Sequence, residues 1–193
     1  MRSLRRRLLS KYDFLDYIAN PNGGYIDTGI IGSSDLDFEI LVLSPPQATF
    51  LFCSRYRRGT ERPTYSYGLL TNTKDSIRFD IGSNLNEISV IDYSAQLRVV
   101  KDKDSLNVNG KTFDIKNDGS SKGSIVLFGC RNVYNGSIVT YDFKLVYMRF
   151  LKNGKIIRNF VPCKDKINGK VGLLDNVGGK FYISPNGAEF TGE

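Results

Sequence analysis

Apolar and polar residues alternate over short runs along this chain, and glycine and asparagine punctuate the runs. In Leu36-Asp37-Phe38-Glu39-Ile40 every second residue is apolar. A strand there turns Leu36 and Phe38 to one face and Asp35, Asp37 and Glu39 to the other. No long helical periodicity follows Asp16. The pattern predicts strands over 25–30, 36–43, 49–56, 64–71, 76–81, 88–93, 97–101, 105–108, 111–115, 124–130, 139–151 and 156–161, with short pieces at Leu173 and Phe181.

Six Asn-Gly pairs, at Asn22, Asn109, Asn135, Asn153, Asn168 and Asn186, favour strand reversals because both residues tolerate positive φ. Between Tyr141 and Leu151 apolar residues occupy both faces near Leu145 to Met148, the pattern of an interior strand. Asn153-Gly154 then turns the chain, Ile156 to Val161 return, and Pro162, lacking an N–H, is expected to stop the ladder. Many short strands with frequent turns predict an all-β fold, two antiparallel sheets packed face to face as a jelly-roll sandwich. A chain of 193 residues suits one such domain, read as 14–193, preceded by a basic arm, 1–13, helical from Leu4 to Leu9.

The net charge of +7 acquires a different meaning once located, since Arg2, Arg5, Arg6, Arg7 and Lys11 all precede the first acid, Asp13. The remaining body is close to neutral, which argues against a nucleic-acid surface and makes the arm the candidate partner-binding element. No apolar run approaches the roughly 18 residues of a membrane span, and none at the start would serve as a secretory signal. The chain has no histidine, which removes the usual general base and the commonest metal ligand. Cys53, Cys130 and Cys163 are widely separated and odd in number, so small buried hydrophobes are expected rather than a disulfide framework or a zinc site. No cofactor is implied.

Three groups of residues could carry chemistry. The alternate carboxylates Asp35, Asp37 and Glu39 could flank a sugar, but a solvated strand face is the default. Arg55, Tyr56, Arg57 and Arg58, followed by Arg62, Tyr65 and Tyr67, mix guanidinium groups and phenol rings. Such a mixture can stack on sugars, contact phosphates or make a protein interface, with protein contact ahead of glycan; its plainer reading is a soluble loop with Tyr65 and Tyr67 along one strand face. Asp102, Asp104, Asp114, Asp118, Asp165 and Asp175 are oxygen donors, but no loop carries them at calcium-site density, so turns and caps are expected of them. Leu51-Phe52-Cys53-Ser54-Arg55 and Leu127-Phe128-Gly129-Cys130-Arg131 echo each other and read as two strands, each ending in an exposed Arg.

The last quarter adds longer words: Arg158-Asn159-Phe160-Val161-Pro162-Cys163, Gly172-Leu173-Leu174-Asp175, Gly179-Lys180-Phe181-Tyr182, and a closing Gly187 with Phe190. Near the other end Phe14-Leu15-Asp16-Tyr17-Ile18 precedes Gly24-Tyr25-Ile26-Asp27-Thr28-Gly29-Ile30. Together these resemble concanavalin A-like lectin/glucanase (laminin-G-like) domains of bacteriophage and prophage proteins. The resemblance implies a lectin-like sandwich in a virion, made in the bacterial host cytoplasm. It implies a structural role, as a capsid auxiliary, decoration or head-fibre-associated protein whose partners are a major capsid or fibre protein. Glycan-binding attachment to host or mucosal surfaces is the alternative. The Asp35-Asp37-Glu39 spacing also resembles the catalytic strand of laminarinase-type glucanases, but Asp35 is one methylene short of the expected Glu. Without histidine or tryptophan, no enzyme is expected.

Overall fold

A computed structural model describes residues 10–58, 64–73, 75–89 and 92–193. Arg2, Arg5, Arg6, Arg7 and Arg62, with the expected helix from Leu4 to Leu9, lie outside the described residues. The strands are β1 (Tyr12–Phe14), β2 (Ile18–Ala19), β3 (Ile26–Ser33), β4 (Leu36–Leu43), β5 (Thr49–Tyr56), β6 (Tyr65–Thr73) and β7 (Ser76–Gly82). Next come β8 (Asn84–Ser89), β9 (Gln96–Asp102), β10 (Ser105–Val108), β11 (Lys111–Asp114), β12 (Ser120–Leu127), β13 (Gly129–Asn132) and β14 (Ile138–Thr140). The chain ends with β15 (Lys144–Lys152), β16 (Lys155–Asp165), β17 (Val171–Asp175), β18 (Lys180–Tyr182) and β19 (Thr191–Gly192).

They form two sheets. The first runs β11-β10-β9-β4-β15-β16-β17-β18, with β1 on β16, β2 on β15 and β19 on β2. The second runs β14-β13-β5-β6-β7-β8, with β12 bridging β3 and β5. Pairing is antiparallel except between β13 and β5. The inner faces meet through aromatic rings, as the alternating pattern dictates. Phe38 of the first sheet lies 4.9 Å from Phe52 and 5.5 Å from Phe79 of the second, between ring centroids. The fold is therefore an all-β sandwich with its core between the sheets.

Several sequence expectations shift for identifiable reasons. The predicted strand 124–130 is broken at Phe128, whose backbone is left-handed at φ 63°. Its buried ring stacks 4.7 Å from Phe143, so the break stays in the core. The predicted strand 139–151 divides because Tyr141–Phe143 cross from the second sheet to the first; Asn20 pins the crossing by donating to Asp142 Oδ1 (3.0 Å) and to the Tyr141 carbonyl (3.0 Å). The strand expected over 88–93 begins earlier, at the polar Asn84, because hairpin pairing with β7 overrides composition.

Pro162 does not end its strand: β16 continues to Asp165. The Pro162 carbonyl accepts from Leu15 N at 3.1 Å, so its nitrogen also faces that side, past the last β15 partner, where no N–H is asked for. β1 fills the edge that β15 vacates, pairing Tyr12 with Asp165 and Phe14 with Cys163. The sheet thus takes in Tyr12 and Asp13, two residues inside the span read as arm. Of the Asn-Gly pairs, only Asn109-Gly110 and Asn153-Gly154 have positive φ at both residues, and these close the β10–β11 and β15–β16 hairpins.

Candidate functional site

Strand alternation separates the mixed Arg/Tyr segment into two surfaces. Cys53 and Arg55 of β5 point to the outer face of the second sheet, while Phe52, Ser54 and Tyr56 take the other side. Register partners share a face, so Ser66 lies beside Arg55, and Gly68 lies between Cys53 and Asp80. Phe50, Cys53, Leu70 and Cys130 make a small apolar cluster on this outer face, with Tyr141 packed against it. The Arg55 guanidinium lies over the Phe50 ring, 5.1 Å from its centroid.

Asp80 is fully buried and receives Arg78 through both carboxylate oxygens, at 2.8 and 3.3 Å. Burial pushes its carboxyl above the ordinary value, against the pull of Arg78 and Arg55. The sequence signal was present: Arg78 and Asp80 are polar at alternate positions between apolar Ile77, Phe79 and Ile81. Cys53 and Cys130 belong to the same buried cluster, and burial, then the neighbouring Cys130 thiol, holds the Cys53 thiol well above its usual value. Their separation in the sequence hides an adjacency made by the parallel β5–β13 register.

Arg55 and Arg57 are half-buried and only Arg58 is exposed. Arg57 N donates to Asn132 Oδ1 at 3.3 Å, which ties the chain leaving β5 to β13. The Nε atoms of Arg55 and Arg57 and the Ser66 hydroxyl are buried without hydrogen-bond partners. The echoed Arg131 is not an exposed strand end: it donates to Asp27 Oδ2 (2.7 Å) and Ser124 Oγ (2.5 Å).

The tyrosines form the second surface. Tyr56 packs edge-on against Tyr65 (6.1 Å) and Tyr134 (5.5 Å), and the Lys122 ammonium lies 4.0 Å from the Tyr65 centroid and 5.0 Å from that of Tyr56. Tyr65 and Tyr134 are 39% and 49% exposed. Tyr67 cannot contact a partner. It is wholly buried, its hydroxyl donates to the Leu36 carbonyl at 2.5 Å, and a Cβ on Gly32 would fall 2.2 Å from it. Its place on the inner face, opposite Ile81, makes it a core residue.

Asp35, Asp37 and Glu39 share the outer face of the first sheet, but each has separate partners. Asp35 accepts from Ser33 Oγ (2.5 Å) and pairs with Lys152 (3.0 Å). Asp37 accepts from Lys101 Nζ and Lys103 N, both at 2.9 Å. Glu39 accepts from Arg98 (2.7 Å), Tyr147 (2.6 Å) and Arg149 (3.2 Å). Burial pulls the Glu39 carboxyl up, but the Tyr147, Arg98 and Arg149 donors together bring it below its usual value. Asp35 is lowered by Ser33 and then Lys152. Neither has the raised value a general acid uses at neutral pH.

Among the described residues no group of three or more Cys, Asp or Glu could hold a metal ion. Asp175 instead organises the β17–β18 turn, accepting from Asn159 N (3.0 Å), Val177 N (3.1 Å) and Gly178 N (3.2 Å). Asp165 accepts from Ile167 N (2.8 Å) in the β16–β17 turn, and Asp104 from Asn117 (3.1 Å). Lys11, exposed at the edge of the described region, accepts from Lys166 N through its carbonyl. No sequence-family model matches the chain, and no curated protein sequence matches it.

Proposed function

We propose that the chain is a non-enzymatic structural protein of a bacteriophage virion, a capsid auxiliary or head-fibre-associated component that displays a concanavalin A-like jelly roll. The observation that carries the non-enzymatic part is the state of Asp35, Asp37 and Glu39: each is engaged by cationic and hydroxyl or amide donors of its own, and the Asp35 and Glu39 carboxyls are held below their ordinary values. The terminal words of the sequence, which resemble phage lectin-like domains, support the setting. In this reading Arg2, Arg5, Arg6, Arg7 and Lys11 form a basic arm that docks on an acidic face of a capsid or fibre protein, and Arg55–Arg58 supply a second contact.

Deleting residues 1–9 tests this assignment without touching β1 or the Lys11 carbonyl that Lys166 uses. Particles assembled with the truncated chain should lack it, while the isolated domain keeps its β-type circular dichroism. Full occupancy of the truncated chain would end the docking role of the arm.

A second reading, attachment to host or mucosal glycans, is favoured by the exposed Tyr65 and Tyr134 rings, which flank the half-buried Tyr56 beside Lys122. Phenol rings can stack on sugar, and their edge-to-face packing pre-orders them. Saturable binding on a glycan array, lost in Tyr134→Ala, would select this reading over pure docking.

A further inference from the structure

Five side-chain polar atoms among the described residues are buried without a hydrogen-bond partner, and three of them belong to one corner of the second sheet. These are Arg55 Nε, Arg57 Nε and Ser66 Oγ. Buried donors are nearly always satisfied in folded proteins, and an exception calls for a specific reason. Arg55 and Ser66 are register partners on neighbouring strands and Arg57 follows two residues on, past the end of β5, so the three call for a shared one.

All three groups can donate a hydrogen bond, and two carry positive charge. Ser66 has no exposed surface, and its register partner is Arg55. Two described carboxylates share this face: Asp80 has both oxygens engaged by Arg78, and Glu87, the register partner of Arg78, accepts from Asn72 at 2.7 Å. Among the described residues, Arg55 and Arg57 have no acidic hydrogen-bond partner, while Arg78 pairs with Asp80. Gly68, beside Ser66 on this face, puts no side chain over the sheet, whereas on the Gly82 side the Asp118–Gly119 backbone packs close.

We propose that Arg55, Arg57 and Ser66 form an oxyanion-binding site on the outer face of the second sheet, taking a carboxylate, sulfate or phosphate group. Guanidinium suits such groups because its planar fork presents two N–H donors to two oxygens, and a serine hydroxyl supplies a third donor. Phe50 beneath Arg55 holds the guanidinium in place and limits its rotation. The proposal rests on the reading of Arg55–Arg58 as a contact segment and is independent of the arm and of the virion setting.

The test is a titration of the full chain with sodium sulfate, sodium phosphate and sodium acetate, each against sodium chloride at matched ionic strength. Two-dimensional NMR follows the arginine Nε–H signals and the backbone amides of 53–57 and 64–68. At least one oxyanion should give saturable shifts confined to these signals, with at least tenfold weaker binding in Arg57→Ala and in Ser66→Ala. The three salts distinguish the groups, since a carboxylate-selective site responds to acetate and a tetrahedral one to sulfate or phosphate. Arg55→Lys, which keeps the charge and removes the fork, should weaken binding while preserving the amide spectrum. Shifts that never saturate, that match those in chloride, or that persist at full affinity in Ser66→Ala and Arg57→Ala would overturn the site. If arm deletion leaves incorporation intact but the sulfate response survives, the docking role falls and this site stands.

Discussion

The ammonium of Lys101 lies 2.9 Å from Asp37 Oδ1 and has no exposed side-chain surface, so the central carboxylate of the acidic strand serves as counter-ion to a buried lysine. Lys101 also donates to the Ser34 carbonyl at 3.2 Å, and Asp37 accepts a second bond from Lys103 N. The spacing that resembles a glucanase strand is here occupied by a structural ion pair.

That pair sets the first expected outcome. Removing only the acid, in Asp37→Ala, leaves a desolvated cation and should cost about 3–5 kcal/mol, since breaking one side of a buried pair strands the other charge. Lys101→Met keeps most of the volume, deletes the charge and leaves Asp37 partly solvated, so its cost should be clearly smaller. Urea denaturation of both variants decides the matter; equal costs would mean that packing, not charge, sets the penalty.

Carboxylates of opposite character give the pH dependence. Asp27 and Glu39 both have folded values below their ordinary ones. At Asp27 burial pulls up, and Ser124, the Gly29 amide and Arg131 outweigh it. Their stabilisation is present above the ordinary carboxylate range, about 4, and is lost as pH falls through the lowered folded values. Asp80, raised by burial, acts in the other direction: the folded state holds its proton more tightly, and its contribution declines as pH rises through the raised value. Carboxyl-carbon NMR titration should find Glu39 below about 4.3 and Asp80 above about 3.9, and the reverse order would refute the local electrostatics described.

Much of the fold was legible because it is written in alternation. Predicted strands 36–43, 49–56 and 105–108 coincide with β4, β5 and β10; β4 and β10 bury one face by strict period two, and β5 is an apolar run buried on both faces. What escaped depends on which strands become neighbours. β1, β2 and β19 are short and acquire pairing from β16, from β15 and from β2 respectively, so their own residues carry almost no signal. The same holds for the candidate site. Arg55 and Arg57 are conspicuous in the sequence, but Ser66, Asp80 and Cys130 join them only through the register of β5 with β6 and β13 and of β6 with β7. Tyr67 is one of the phenols of the Arg/Tyr segment, but its place on the inner face of β6 makes it core.

The cysteines yield a chemical expectation. Cys53 is wholly buried with its thiol held well above the usual value, and burial pushes Cys163 up to about 12, partly offset by the Leu174 amide. Thiolate is the reactive form, so neither should react with iodoacetamide in the folded protein at pH 8, and all three cysteines should react in urea. Mass spectrometry of the labelled peptides provides the measurement. Native labelling of Cys53 at the rate of a free thiol would contradict the covering of the outer face by Arg55 and Tyr141.

Tyr67 and Tyr134 should respond oppositely in stability and binding, because one ring is sealed in the core and the other faces solvent. Tyr67→Phe keeps the ring that packs 5.3 Å from Phe79 and 6.2 Å from Phe52, but it strands the Leu36 carbonyl, at a cost of about 1–3 kcal/mol. Partner or glycan binding should be unchanged. Tyr134→Ala removes an exposed ring and its edge contact with Tyr56, which should shift stability by about 0.5 kcal/mol or less and weaken any ligand that stacks there. Thermal unfolding measured alongside binding separates the two effects. A Tyr67→Phe protein that lost binding at unchanged stability would place Tyr67 in the contact surface after all and require the inner face of β6 to open.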